Sequence, residues 1–598
     1  MTTTAPATDL APPQWPARRW VRSWPVETVL LLASPVIAFY VLHIRSMARA
    51  DMIDPSFYTA YAQHGQDLVL RYPTSGMYYR VRLGFLLPAR AFYLLFGAVP
   101  GFYVFRYVLA LIAVVPAYLL FRRLFGRGAG AVVVAVLLTS PVIFNAWGTD
   151  YPDSAAVSYL TAGVACLVMP ATTRRRRLGW VTAAGLALSL AVHSQGVAVA
   201  LVAATVLVYL GVSWRRGRQL LVEVAVLVGC VVVVTCVLAV IAHVVFGTAY
   251  NIISPTLDAS SHLRSPQQLP HWWSSNWHWV YGRDYLLAPP VALAAWLVLQ
   301  VRRRPSSSLT ERTVLGIAGL QWVVYVVLQF FGGKTATLEF HLYVSMLWPG
   351  VCLTIAFVVV GLCRRLFDRA ATAWLPAALV VAIPLLYRVI EPLPSFGMAV
   401  VGSVLAAVVV IAVAVARLAR GARPVGAVAA LLVVAVILGL TVGKGSYQPH
   451  LAGETGLPRG NYADTIGGDG QRQVDVYRVT SELHTVVPTA RYKDDYLMMW
   501  YPAHQGAVLN LPTAQYLWHG KSLSYDLPHF SRPDRAALAR RRPPTLLLLS
   551  KTGSEFPTAL AALRPYGPHV LRRAVLTSNS IHVHVWVLRL ARFDRPRR

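Results

Sequence analysis

Four aspartates fall into two pairs of equal spacing, Asp51 with Asp54 and Asp150 with Asp153, and the chain offers Arg80, Arg82 and Lys334 as cations to set beside them. A carboxylate can take the proton from an acceptor hydroxyl, and guanidinium or ammonium groups can neutralise a departing phosphate. Such a set suits transfer of a group from a phosphate carried on a membrane lipid. Asp54 has the best setting for a base: Asp54-Pro55-Ser56 reads as a helix start, with an N-cap acid and proline at the first position, and capping orients the carboxylate. Lys334 is the sole lysine before residue 444, and Glu339 and His341 follow it, although loops also expose such residues without any function. His193 alone reads as a helix-end hydrogen-bonding group rather than a catalyst.

The elements that must position these residues are membrane spans. Hydrophobic residues make up 56% of the 598, charged residues 13%, and the mean hydropathy is +0.52, whereas soluble chains carry roughly 25% charge. Apolar runs long enough for a hydrocarbon core of about 30 Å fall at 26–43, 102–123, 129–146, 154–170, 178–192, 195–212, 220–246, 286–301, 312–331, 340–362, 371–390, 397–417 and 424–442. The net charge of +30 resides in short arginine clusters, such as Arg174 to Arg177, at the ends of these runs. That is the positive-inside pattern, and with a cytoplasmic N-terminus every cluster falls on the cytoplasmic side. No basic stripe interleaved with aromatics lies elsewhere, which argues against a nucleic-acid partner. The five cysteines lie in or beside apolar runs and form no disulfide or zinc pattern.

The same alternation divides the chain into a cytoplasmic tail (1–25), a helical membrane domain (26–442) and a small soluble α/β domain (443–598) outside the bacterial cytoplasmic membrane. Outer loops at 44–101 and 247–285, together with shorter ones, collect the acids and the lysine of the membrane part. The 83–99 stretch is interrupted by Pro88 and Arg90 and reads as interfacial or re-entrant. In the 247–285 loop, four tryptophans between Trp272 and Trp279 suit an interfacial belt, and equally a platform for a sugar ring or a lipid. Strands are expected at 545–549 and 581–590, with helices at 474–487 and 557–563.

The run Asp54-Pro55-Ser56-Phe57-Tyr58, followed by Tyr72-Pro73, Tyr79-Arg80 and the apolar segment from Leu83, resembles the first outer loop of the GT-C glycosyltransferases that use polyprenyl-phosphate sugars. Protein O-mannosyltransferases and the lipid A aminoarabinose transferase group are the most similar. Arg106 to Gly126, Asp150 to Leu160, His193-Ser194-Gln195-Gly196 and Lys334 to Pro349 line up with that family in order. The resemblance implies that Asp54 is the general base, with Asp51 as rival, and that Asp153 is the second acid with Asp150 beside it. Tyr79, Arg80, Arg82, Lys334, Glu339, His341, His193 and Gln195 would line the substrate site. Gln195 stands where relatives often carry a basic residue, and it cannot neutralise charge. No cofactor is required, but the oligosaccharyltransferase branch holds a divalent ion through acids of two outer loops, so Asp54 and Asp153 are candidate ligands for one.

The expected activity is inverting transfer of one sugar, hexosyl or pentosyl, with mannosyl and arabinosyl as examples. It would pass from a polyprenyl phosphate to a cell-envelope glycan, lipid or protein on the outer face. The competing expectation is a transporter or flippase of a lipid-linked glycan, which would place charges near the bilayer midplane.

Overall fold

The computed structural model describes residues 24–41, 81–148, 151–246, 309–330 and 341–366, several elements between 496 and 593, and isolated positions including Tyr58, Ala62 and Val486. The membrane part contains α1 (Trp24–Val41), α2 (Leu83–Phe96), α3 (Ala98–Phe125), α4 (Arg127–Thr139), α5 (Pro141–Gly148) and α6 (Asp153–Leu167). It continues with α7 (Arg174–Ser194), α8 (Ala198–Ser213), α9 (Arg218–Phe246), α10 (Leu309–Phe330) and α11 (His341–Leu366). Five of these carry stretches long and apolar enough to cross a bilayer: α3, α8, α9, α10 and α11. The chain is a multi-pass, mainly helical membrane protein with a small α/β unit near its C-terminus. The spans expected at 371–390, 397–417 and 424–442, and nearly all of 286–301, lie outside the described residues, as does the tryptophan-rich loop.

The helix at the centre of this bundle is α6. All fifteen of its residues are buried, with α3, α7 and α11 packed around it. Its opposite appears in α9, where Leu221, Val228, Val232 and Val244 are each more than half exposed. A side chain facing lipid needs no protein partner, so α9 is a perimeter helix. Close approach of α2 to α7 depends on Gly84, where a Cβ would stand 2.4 Å from the Leu190 carbonyl oxygen. Between α3 and α4 the chain reverses at Gly126, whose φ of +96° favours glycine.

Two expectations for the membrane part need correction. The run at 129–146 is two helices rather than one span, broken at Ser140, which takes an extended conformation before Pro141. A residue that precedes proline is pushed away from helical geometry. Nor do all the acids sit in outer loops. Glu27, Glu223 and Glu311 lie near the arginine-bearing helix ends; Glu27 pairs with Arg122 at 2.9 Å and with Arg127 at 3.4 Å.

Among the described residues, the arginine clusters at 122–127, 174–177 and 215–218 gather at one end of the bundle. Arg123 donates to the Pro170 carbonyl at 3.2 Å and lies within charge range of Arg176.

Near the C-terminus, β1 (Tyr496–Tyr501), β2 (Lys521–Leu523), β3 (Thr545–Ser550), β4 (Pro568–Ser578) and β5 (Ile581–Leu590) form one sheet in the order β2-β1-β3-β5-β4. β1 runs parallel to β2 and β3, while β5 is antiparallel to β3 and β4. A helix, α12 (Phe556–Leu563), packs through Phe556 onto Trp586, the rings stacked at 4.1 Å. Of the helix expected at 474–487, only Val486 is described, and it is helical.

Candidate active site

Asp153 is the first residue of α6, with Pro152 at the N-cap. Aligned peptide dipoles favour negative charge at this end of a helix. The carboxylate is fully buried, and a buried charge is costly unless it has partners. Gln195 supplies one: its Nε2 donates to Oδ1 of Asp153 at 3.2 Å. The amide is itself held, because Gln195 Oε1 accepts from the Gly196 N–H at 3.0 Å and the Gln195 N–H donates to Ala191 O at 3.0 Å. Gln195 is the C-cap of α7, so a single bond joins the start of α6 to the end of its neighbour.

Arg82 supplies the second partner. It is 1% exposed and close enough for its charge to act on Asp153. Its carbonyl accepts from the N–H groups of Phe85 (3.0 Å) and Leu86 (2.9 Å), which places the residue at the start of α2. Tyr325 of α10, also fully buried, lies within electrostatic range of the same carboxylate. Three helices besides α6 thus converge on Asp153.

An aromatic wall stands alongside. The rings of Tyr58 and Tyr151 meet edge to face at 5.2 Å, and Tyr58 also meets Phe85 at 6.1 Å. Arg90 of α2 donates from Nη1 to the Ala62 carbonyl at 3.0 Å. The first outer loop is therefore pinned at Tyr58 and Ala62 onto the helices that carry Arg82 and Asp153. The Arg90 that interrupts an apolar run in the sequence has this local explanation.

The structure brings Arg82, Asp153 and Gln195 together, whereas His193 has Nε2 2.9 Å from Thr235 Oγ1 on α9. Asp51, Asp54, Tyr79, Arg80, Asp150, Lys334 and Glu339 lie outside the described residues; His341 opens α11, but its side chain also lies outside them. Sequence reasoning missed Tyr325, Tyr151 and Gly84. A glycine so soon after Arg82 was a usable signal of close helix approach, but a tyrosine in an apolar helix carries none.

Among the described residues, no three His, Cys, Asp or Glu side chains gather as metal ligands. Asp54, the other candidate ligand for a divalent ion, lies outside the described residues.

Residues 85–243 match the family described as dolichyl-phosphate-mannose-protein mannosyltransferase. No curated protein sequence matches the chain. Two solved structures of ArnT from Cupriavidus metallidurans are similar at 16% identity, each covering 96% of this chain and 100% of that one. The TM-score is 0.49 for the form bound to undecaprenyl phosphate and 0.45 for the apo form. Similarity at that level transfers neither ligand nor activity. The family match spans about a quarter of the chain and includes Asp153, His193 and Gln195.

Proposed function

We propose that the chain is a membrane glycosyltransferase that moves a single sugar from a polyprenyl phosphate to a cell-envelope acceptor on the outer face, with inversion at the sugar carbon. Asp54 is the general base that takes the acceptor's proton, with Asp51 as its rival. Arg80, Arg82 and Lys334 neutralise the phosphate that leaves. Asp153 holds Arg82 by charge, and Gln195 fixes the orientation of Asp153. The reading requires no resident metal.

The observation that supports it best is the buried set of Asp153, Gln195 and Arg82, most of which lies within the family match. Covalent geometry adds a second support. Asp54 lies four positions before the pinned Tyr58, and an extended chain over that offset reaches only about 14 Å.

The test is transfer from a labelled polyprenyl-phosphate sugar by the purified full chain. Asp54→Asn abolishes transfer while donor binding persists; full activity in that variant removes Asp54 from the mechanism. Asp51→Asn, run in parallel, distinguishes the rival base.

A further inference from the structure

At the other ends of α6 and α7, away from Asp153, lies a cavity of about 840 Å³. Its walls are the turn that joins α6 to α7, the first turn of α7, the connection between α8 and α9, and the start of α10. Arg174, Arg177, Arg216 and Arg218 all line it, together with Thr173 and Thr310, and among the described residues no acid does.

Two carboxylates lie close behind the lining, Glu311 beside Thr310 and Glu223, which is fully buried and already engaged. It accepts from Arg177 Nε at 2.9 Å and from Gln219 Nε2 at 3.2 Å. The Tyr209 hydroxyl also donates to it, and Arg216 Nη1 stands 3.8 Å away. Glu223 is therefore taken up by Arg177 and Arg216, two of the four arginines that line the cavity. Arg174 and Arg218 are exposed at the rim, where their charge faces the cavity without an acidic neighbour in its lining. The electrostatics call for an anion with several acceptor oxygens, which guanidinium groups bind well.

The position of the cavity narrows the choice of anion. α7 has 21 residues, about 31 Å at 1.5 Å per residue, close to the thickness of a hydrocarbon core. The cavity thus opens at the lipid–water boundary opposite Asp153. Beside it, Trp214 is 78% exposed, and α9 presents the bare apolar surface of Leu221 and Val228. Indole side chains favour such boundaries, and that surface suits acyl chains.

We infer that this cavity binds the phosphate headgroup of an anionic phospholipid, with the acyl chains lying along α9. Basic recesses between helices are suited to such headgroups. The site is separate from the proposed transfer chemistry and stands whether or not that reading holds.

Native mass spectrometry of the full chain, delipidated and then supplied with phosphatidylglycerol, phosphatidylcholine or inorganic phosphate, tests it. Phosphatidylglycerol is retained over phosphatidylcholine, and retention weakens with salt. The double variant Arg174→Ala/Arg218→Ala binds it at least about tenfold more weakly, whereas Arg174→Lys/Arg218→Lys keeps most of the binding. Both variants spare Arg177 and Glu223, and unchanged helical circular dichroism confirms that they fold. Equal retention of the two lipids, or undiminished binding by the alanine pair, overturns the proposal. Inorganic phosphate that competes phosphatidylglycerol away at equal concentration assigns the cavity to a free anion and overturns the lipid assignment.

Discussion

Gln195 and Asp153 are joined by one hydrogen bond of 3.2 Å, from the amide that caps the end of α7 to the carboxylate that begins α6. The geometry explains why a neutral residue serves here. Arg82 already supplies the positive charge near this carboxylate, and an amide adds a directed donor without a second cation to bury.

Replacing Gln195 by Leu removes that donor from a buried charge. Stability falls by about 1.5–3 kcal/mol, read as a lower thermal midpoint in detergent, and transfer slows with it. Gln195→Glu is worse, because two buried carboxylates then face each other.

Asp153→Asn keeps the shape and removes the charge that holds Arg82. The protein inserts and folds, but transfer drops by roughly 10² and the donor KM rises. Wild-type kinetics in this variant would count against any role for Asp153.

Arg82→Lys keeps the charge and loses the planar fork. A lysine does not replace a guanidinium at a buried site, so donor affinity falls by about tenfold in a binding titration.

Gly84→Ala places a methyl group 2.4 Å from Leu190 O and 2.5 Å from Ser194 Oγ. Backbone cannot yield there cheaply, so α2 and α7 separate at a cost of about 1–3 kcal/mol. Since Arg82 starts α2, activity falls further than stability alone accounts for; comparing residual rate with folded fraction separates the two.

Arg177→Ala strips the buried Glu223 of its main partner at the other end of the bundle. The loss is about 3–5 kcal/mol. Glu223→Gln in the same background restores part of it, measured as recovered thermal midpoint.

The spans were legible where hydropathy accumulates over many residues, as in α9, and where arginines mark the ends. The break at Ser140 was signalled by the Ser-Pro pair, but the apolar run on both sides outweighed it. Asp153 was legible as an acid opening a helix, and Gln195 as a departure at a family position. Their bond was not, because it depends on how α6 and α7 pack. Tyr325 was invisible for the same reason at longer range. In the sheet, β5 declared itself through alternation, with Val583, Val585 and Val587 buried. β1 did not, since Tyr-Leu-Met-Met-Trp-Tyr has no period.

The enclosure of α6 bears on how the protein is made. At about 22 Å α6 falls short of a hydrocarbon core of about 30 Å, and it carries Asp153, whose burial without partners is costly. Its integration during synthesis therefore waits for α7. A nascent chain truncated after Leu167 leaves this segment outside the membrane, and one extended through Ser194 brings both in as a pair.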